Sequence, residues 1–156
     1  MNAPASCILA IDLGSRRIGL SVSDPEARIA FPAGVLERRG PVKDMARLRA
    51  LVAERGVCEI VVGLPIHMSG RKGPEAAAAS EFARQLKEAT GLPVALQDER
   101  WTSREAERAL REMGHRKRER PGRVDEMAAT LILSTYLERR RRAAPAHGPS
   151  DGIPKK

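Results

Sequence analysis

The chain has 156 residues, 42% hydrophobic and 31% charged, with a formal net charge of +8. That is one domain's worth with a tail at most, long enough to bury a core without disulfides or metal staples. No apolar run approaches the roughly 18 residues that cross a bilayer. Residues 1–6 carry no charged side chain, so no signal peptide is expected. The two cysteines, Cys7 and Cys58, stand in apolar runs and read as buried, reduced thiols of a cytosolic protein.

In chain order, residues 7–12 form a nearly continuous apolar run ending in Asp12, which suits a buried strand. A turn at 14–17 leads to Ile18, Leu20 and Val22, which alternate with Gly19, Ser21 and Ser23 as in a half-buried strand. After a second turn, residues 28–36 are extended but carry Pro32, which places them at a sheet edge. Three strands joined by short turns make an antiparallel meander. Met45, Leu48 and Val52 then fall at helical spacing, closed by Gly56. Residues 59–63 (EIVVG) are another buried strand, followed by a loop with Pro65, Gly70 and Gly73. Residues 75–90 are helical, with Ala78, Phe82, Leu86 and Ala89 on one face and Gly91 after it. A short strand at 93–96 ends in Gln97-Asp98-Glu99-Arg100, and Thr102 with Glu105 form a capping-box pattern opening a helix. Pro121 opens a last helix running to about Arg142. Strand–helix–strand succession requires parallel neighbours with right-handed crossovers. The expected fold is α/β, close to an RNase H-like arrangement. It has a mixed five-stranded sheet, antiparallel meander plus parallel strands, with helices on both faces. Residues 1–142 form the domain and 143–156 a flexible basic tail.

Charge gives the first functional signal. Residues 139–156 hold six basic side chains and one acid, and Arg111, Arg116, Lys117, Arg118, Arg120 and Arg123 form a second basic stretch. Such clusters attract phosphate polymers through counterion release. The four aromatics, Phe31, Phe82, Trp101 and Tyr136, are too few for a base-stacking platform.

Acids at element ends give the second. Asp12 ends one apolar strand, Asp98 and Glu99 end another, and in parallel α/β sheets functional groups collect beyond the C-terminal strand ends. Asp125 begins a helical face that continues with Ala128, Ala129 and Ile132 and can approach the sheet closely. Each acid alone has a structural reading, as a turn residue or as first-turn charge on a helix. Together, three converging carboxylates fit the oxygen-ligand chemistry of Mg²⁺ or Mn²⁺. Two such ions about 3.5–4 Å apart serve phosphodiester cleavage. Successive strand residues point to opposite faces, so one of Asp98 and Glu99 reaches the ions; spacing does not choose between them.

IDLGSRRIGLSVSD at 11–24 resembles the opening of the YqgF family, also called RuvX, of Holliday-junction-resolvase-like proteins. VVGLP at 61–65 with Gly70 and Gly73, DERWTS at 98–103 and VDEMAATLILSTYL at 124–137 resemble its later blocks, in the family's order. The resemblance implies an RNase H-like nuclease domain and a two-metal-ion phosphodiester hydrolase in the bacterial cytoplasm. It implies trimming of the 5′ end of pre-16S rRNA in ribosome biogenesis, with precursors of the ribosomal subunit as partners, and favours Asp12, Glu99 and Asp125 as catalytic and metal-binding acids. Candidate substrate-binding residues are Arg16, Arg17, Arg71, Lys72, Arg100, Arg116 and Lys117. His67 stands where the family pattern has a polar amide, and the basic tail lies outside the pattern. Three alternatives compete: a branched-DNA endonuclease, a non-catalytic RNA-binding assembly factor, and an actin-like ATP-binding domain. The last needs two such domains, and no Walker-type loop is present.

Overall fold

The computed structural model describes residues 6–99 and 123–143. The elements are β1 (Cys7–Leu13), β2 (Arg17–Ser23), β3 (Ala30–Glu37), α1 (Pro41–Arg55), β4 (Val57–Leu64), α2 (Pro74–Thr90), β5 (Val94–Asp98) and α3 (Arg123–Ala143). The five strands form one sheet in the order β3-β2-β1-β4-β5. β1 pairs antiparallel with β2, and β2 with β3, which is the expected meander. β4 and β5 join in parallel, through the crossovers made by α1 and α2.

The long apolar runs of β1 and β4 arise because both faces of the central strands are covered. Leu9, Ile11, Ile60 and Val62 are fully buried in a core shared with Leu48 of α1 and with Ala76, Ala79, Phe82 and Leu86 of α2. The alternate residues Ile8, Ala10 and Val61 face Ile132, Leu133 and Leu137 of α3. Helices therefore lie on both faces, α1 and α2 on one and α3 on the other.

Local signals act where the sequence places them. Pro41 and Pro74 open α1 and α2, where a missing N–H costs nothing. Gly56 ends α1 in the left-handed region, at φ 65°, and donates its N–H to the Val52 carbonyl. β3 is the edge strand expected from Pro32, and the β2–β3 register shifts at Leu20/Ser21, opposite that proline. β5 extends two residues further than its apolar run, so Asp98 belongs to the strand as the partner of Leu64. Cys7 and Cys58 are free thiols as expected, but half-buried rather than buried. The helix expected after Thr102, the start of the last helix at Pro121 and the expected tail at 143–156 lie outside the described residues, except for Ala143, which belongs to α3. Among the described residues, no helix is long and apolar enough to cross a membrane.

Candidate active site

The site is built at the C-terminal ends of the parallel strands, on the face covered by α3. Asp12 follows Ile8 and Ala10 in the alternation of β1, so its side chain leaves the sheet on the α3 side. Its cross-strand partner is Gly19. The first turn of α3 passes directly over that glycine, and a Cβ at position 19 would collide with the Asp125 carbonyl oxygen. The close approach anticipated from Ala128 and Ala129 is thus achieved, but through the absence of a side chain on β2.

Asp125 accepts a hydrogen bond from Arg17 Nε at 2.9 Å, across 108 positions of sequence. Arg17 and Gly19 lie on the same face of β2, two residues apart. The pair is half-shielded, with side-chain exposures of 34% for Arg17 and 25% for Asp125. The Arg17 backbone is fixed by a tight turn in which Gly14 N–H donates to its carbonyl at 2.9 Å. A Cβ on Gly14 would stand 2.7 Å from that same oxygen.

Glu99 follows directly after β5. Its Oε2 occupies the space above Gly63, where a Cβ would collide with it and would stand 2.5 Å from Ile132 Cδ1. Glu99 therefore reaches the α3 face. Asp98 is paired with Leu64, in the alternate phase of the strand. Both carboxyls stay close, since the charge of Asp98 also acts on Glu99.

The electrostatics tie the acids together. The Asp12 carboxyl is pushed up to about 6, by burial first and then by the charge of Asp125. The Glu99 carboxyl is pushed up to about 7, by burial and then by Asp12 and Asp98. Asp12 is the centre of the group, coupled to Asp125 on one side and to Glu99 on the other. Their carboxyl oxygens, with ionisation at Asp12 and Glu99 disfavoured first by burial and then by neighbouring charge, are of the kind that Mg²⁺ or Mn²⁺ takes as ligands. Among the described residues no three His, Cys, Asp or Glu side chains form a ready-made ion-holding group, and Asp125 is engaged by Arg17.

The expected basic residues divide three ways. Arg16, in the exposed β1–β2 turn, and Arg71 and Lys72, exposed in the β4–α2 loop, rise from the same sheet end as the acids. Arg17 is not an independent surface cation but the partner of Asp125. Arg100, Arg116 and Lys117 lie outside the described residues. The β4–α2 loop is organised around His67, whose carbonyl accepts from Gly70 N–H at 2.7 Å and whose N–H donates to the Arg71 carbonyl at 3.0 Å. Its Nε2 stands 3.2 Å from Arg71 Nη2.

Three features escaped the sequence reading. Gly19 and Gly63 are places of close approach, and a glycine inside an otherwise apolar strand is the signal that could have marked them. Glu126 holds α3 to the sheet by accepting the Gly34 N–H of β3 at 2.9 Å. At the far end of α3, Tyr136 donates its hydroxyl to Glu59 of β4. Glu126 and Tyr136 together fix the helix that carries Asp125.

A family model described as RuvX, Holliday junction resolvase, matches residues 6–139. A Chloroflexus aurantiacus protein named "Putative pre-16S rRNA nuclease" is 44% identical over 134 residues, covering 86% of this chain and 88% of its own. A protein of the same name from an Anaeromyxobacter species is 46% identical over 132 residues, covering 85% and 96%. Among solved structures, T. thermophilus RuvC in complex with a Holliday junction substrate matches with a TM-score of 0.56 at 18% identity, covering 86% of this chain and 96% of that one. Fowlpox virus resolvase with Holliday junction DNA matches with a TM-score of 0.53 at 9% identity, covering 86% and 98%. At these identities the structural likeness is one of fold, and the fold is RNase H-like.

Proposed function

Because the chain belongs to the RuvX family, we propose that it is a metal-dependent nuclease that trims the 5′ end of pre-16S rRNA during ribosome biogenesis in the cytoplasm. One observation carries the chemistry. Asp12, Glu99 and Asp125 come from β1, the end of β5 and α3, yet they share one face of one sheet end, where burial and mutual repulsion raise the Asp12 and Glu99 carboxyls. Folding spends stability to crowd such charges, and a bound cation is what makes that crowding favourable. The RNA substrate comes from the name of relatives that match 85–86% of the chain.

Asp12, Glu99 and Asp125 would hold Mg²⁺ or Mn²⁺, which would supply an ionised water nucleophile and charge stabilisation at the phosphodiester. The chain's own residues do the rest. Gly19 clears the space for the first turn of α3, which carries Asp125, and Gly63 the space that Glu99 occupies. Arg17 pairs with Asp125 in the protein without substrate. Arg16, Arg71 and Lys72 present cations at the rim, where backbone phosphates of a polynucleotide pass. Arg100, Arg116 and Lys117 belong to the same proposal.

A second reading, a branched-DNA endonuclease, is favoured by the family's description and by the resolvase folds with junction DNA. The deciding experiment incubates the purified chain with 5′-extended 16S precursor and with a four-way DNA junction, in Mn²⁺, Mg²⁺ or EDTA. The expected result is cation-dependent cleavage of the RNA, abolished in Asp12→Asn and Glu99→Gln. Cleavage of the junction in preference to the RNA would support the second reading. Binding without cleavage under every condition would leave a non-catalytic assembly factor, and ATP turnover would point to the actin-like alternative.

A further inference from the structure

Arg17 stands in an unusual position for a substrate-binding cation. It spends Nε on Asp125 at 2.9 Å, and Asp125 is one of the three acids assigned to the cation. The Arg17 side chain is itself only partly exposed. Its two terminal nitrogens make no hydrogen bond among the described residues. Its backbone cannot retreat, being locked in the Gly14 turn and in the β2–β3 ladder opposite Glu37. A guanidinium and a divalent cation are therefore directed at the same carboxylate, and electrostatics does not favour both at full strength on one oxygen pair.

We propose that Arg17 is a charge placeholder that couples cation loading to substrate binding. This rests on the nuclease reading above. In the free protein Arg17 neutralises Asp125 and weakens the hold of the acid group on a divalent cation. A polynucleotide phosphate, the preferred partner of a planar guanidinium fork, draws Arg17 away from Asp125. The released carboxylate then completes the cation site. Substrate thus raises cation affinity, and by thermodynamic reciprocity the cation raises substrate affinity by the same factor. The fold suits this role. Arg17 reaches Asp125 from the strand next to Asp12, on the same face, so a modest swing of one side chain moves its charge between the acids and the open rim where Arg16 lies.

The test is Mn²⁺ affinity measured by calorimetry or electron paramagnetic resonance on the full chain. It is run with and without a single-stranded RNA carrying 2′-O-methyl and phosphorothioate linkages that resist cleavage. In the wild type, RNA should tighten Mn²⁺ binding by roughly fivefold or more. Arg17→Gln should bind Mn²⁺ tighter than the wild type without RNA, and RNA should add nothing further. Arg17→Lys keeps a cation beside Asp125 and should stay close to the wild type without RNA.

An Arg17→Gln variant that binds Mn²⁺ no tighter than the wild type, or more weakly, overturns the proposal. The weaker result would mean that Arg17 holds Asp125 ready for the cation instead of competing with it. RNA-induced tightening that persists unchanged in Arg17→Gln also overturns it. Failure of the underlying reading looks different: wild-type protein that binds no Mn²⁺, or Mn²⁺ binding that survives Asp12→Asn and Glu99→Gln together, removes the cation site itself.

Discussion

The carbonyl of Asp125 rests directly against the α-carbon of Gly19, with no room between them for a methyl group. Gly19 is in turn the cross-strand partner of Asp12. The contact between helix and sheet and the gathering of the acids are therefore one feature. Gly19→Ala should push the start of α3 off β2. The neighbour is backbone, not a flexible side-chain tip, so the cost should be about 2–3 kcal/mol in urea denaturation. Cleavage should fall further than the folded fraction does. A variant with unchanged stability would show that α3 has slack at its first turn.

Gly63 makes a contrasting case. A Cβ there would meet the Glu99 carboxylate and Ile132 Cδ1, both the ends of movable side chains. Gly63→Ala should therefore cost less stability than Gly19→Ala, about 1 kcal/mol, while displacing Glu99 and lowering both Mn²⁺ affinity and cleavage. Parallel denaturation and Mn²⁺ titration of the two variants check the order. Equal Mn²⁺ affinity in Gly63→Ala and the wild type would place Glu99 outside the cation site.

The crowded carboxyls predict an inverted pH dependence of stability. Asp12 is raised from 3.8 to about 6, and Glu99 from 4.5 to about 7. The folded state then holds protons that the unfolded state releases, so this contribution increases as pH falls from 8 toward 5. A carboxylate held by a salt bridge behaves in the opposite way. In EDTA, Asp12→Asn should be more stable than the wild type at pH 8, by on the order of 2 kcal/mol. That advantage should shrink at pH 5, where the wild-type carboxyl is protonated. Saturating Mn²⁺ should reverse the order at pH 8, because only the wild type gains the full ligand set. Melting temperatures of the two proteins at pH 5 and 8 decide the matter. A destabilised Asp12→Asn that cleaves normally would make Asp12 a turn residue and end the proposed mechanism.

Arg71 and Lys72 sit on an exposed loop whose turn is held by backbone bonds around His67. Changing both to Ala removes charge without removing those bonds. Nucleic-acid affinity should weaken, and the slope of its logarithm against the logarithm of salt concentration should flatten by about 1–2. The melting temperature should not move. A salt slope identical to that of the wild type would take the loop out of the binding surface.

The order and type of the described elements are set by local pattern, and that is why they could be read directly. Both faces of β1 and β4 are covered, so their runs are continuously apolar. Gly56 and Gly91 end helices because the left-handed region suits glycine. Pro32 marks an edge strand because it has no N–H to donate. Asp12 and Asp125 stood out because each interrupts such a pattern. Pairings across the sequence were decided by tertiary structure alone. Arg17 reads as one more basic residue in a basic chain until α3 brings Asp125 to it from 108 positions away. Glu99 and Asp98 read alike until the fold sets Glu99 over Gly63 and pairs Asp98 with Leu64. Gly19 and Gly63 look like weak points in strands until a helix and a carboxylate occupy the space their missing side chains leave. A sequence records what each residue favours along its own segment; which segments share a volume, and which charges must then be balanced within it, is set only when the chain packs.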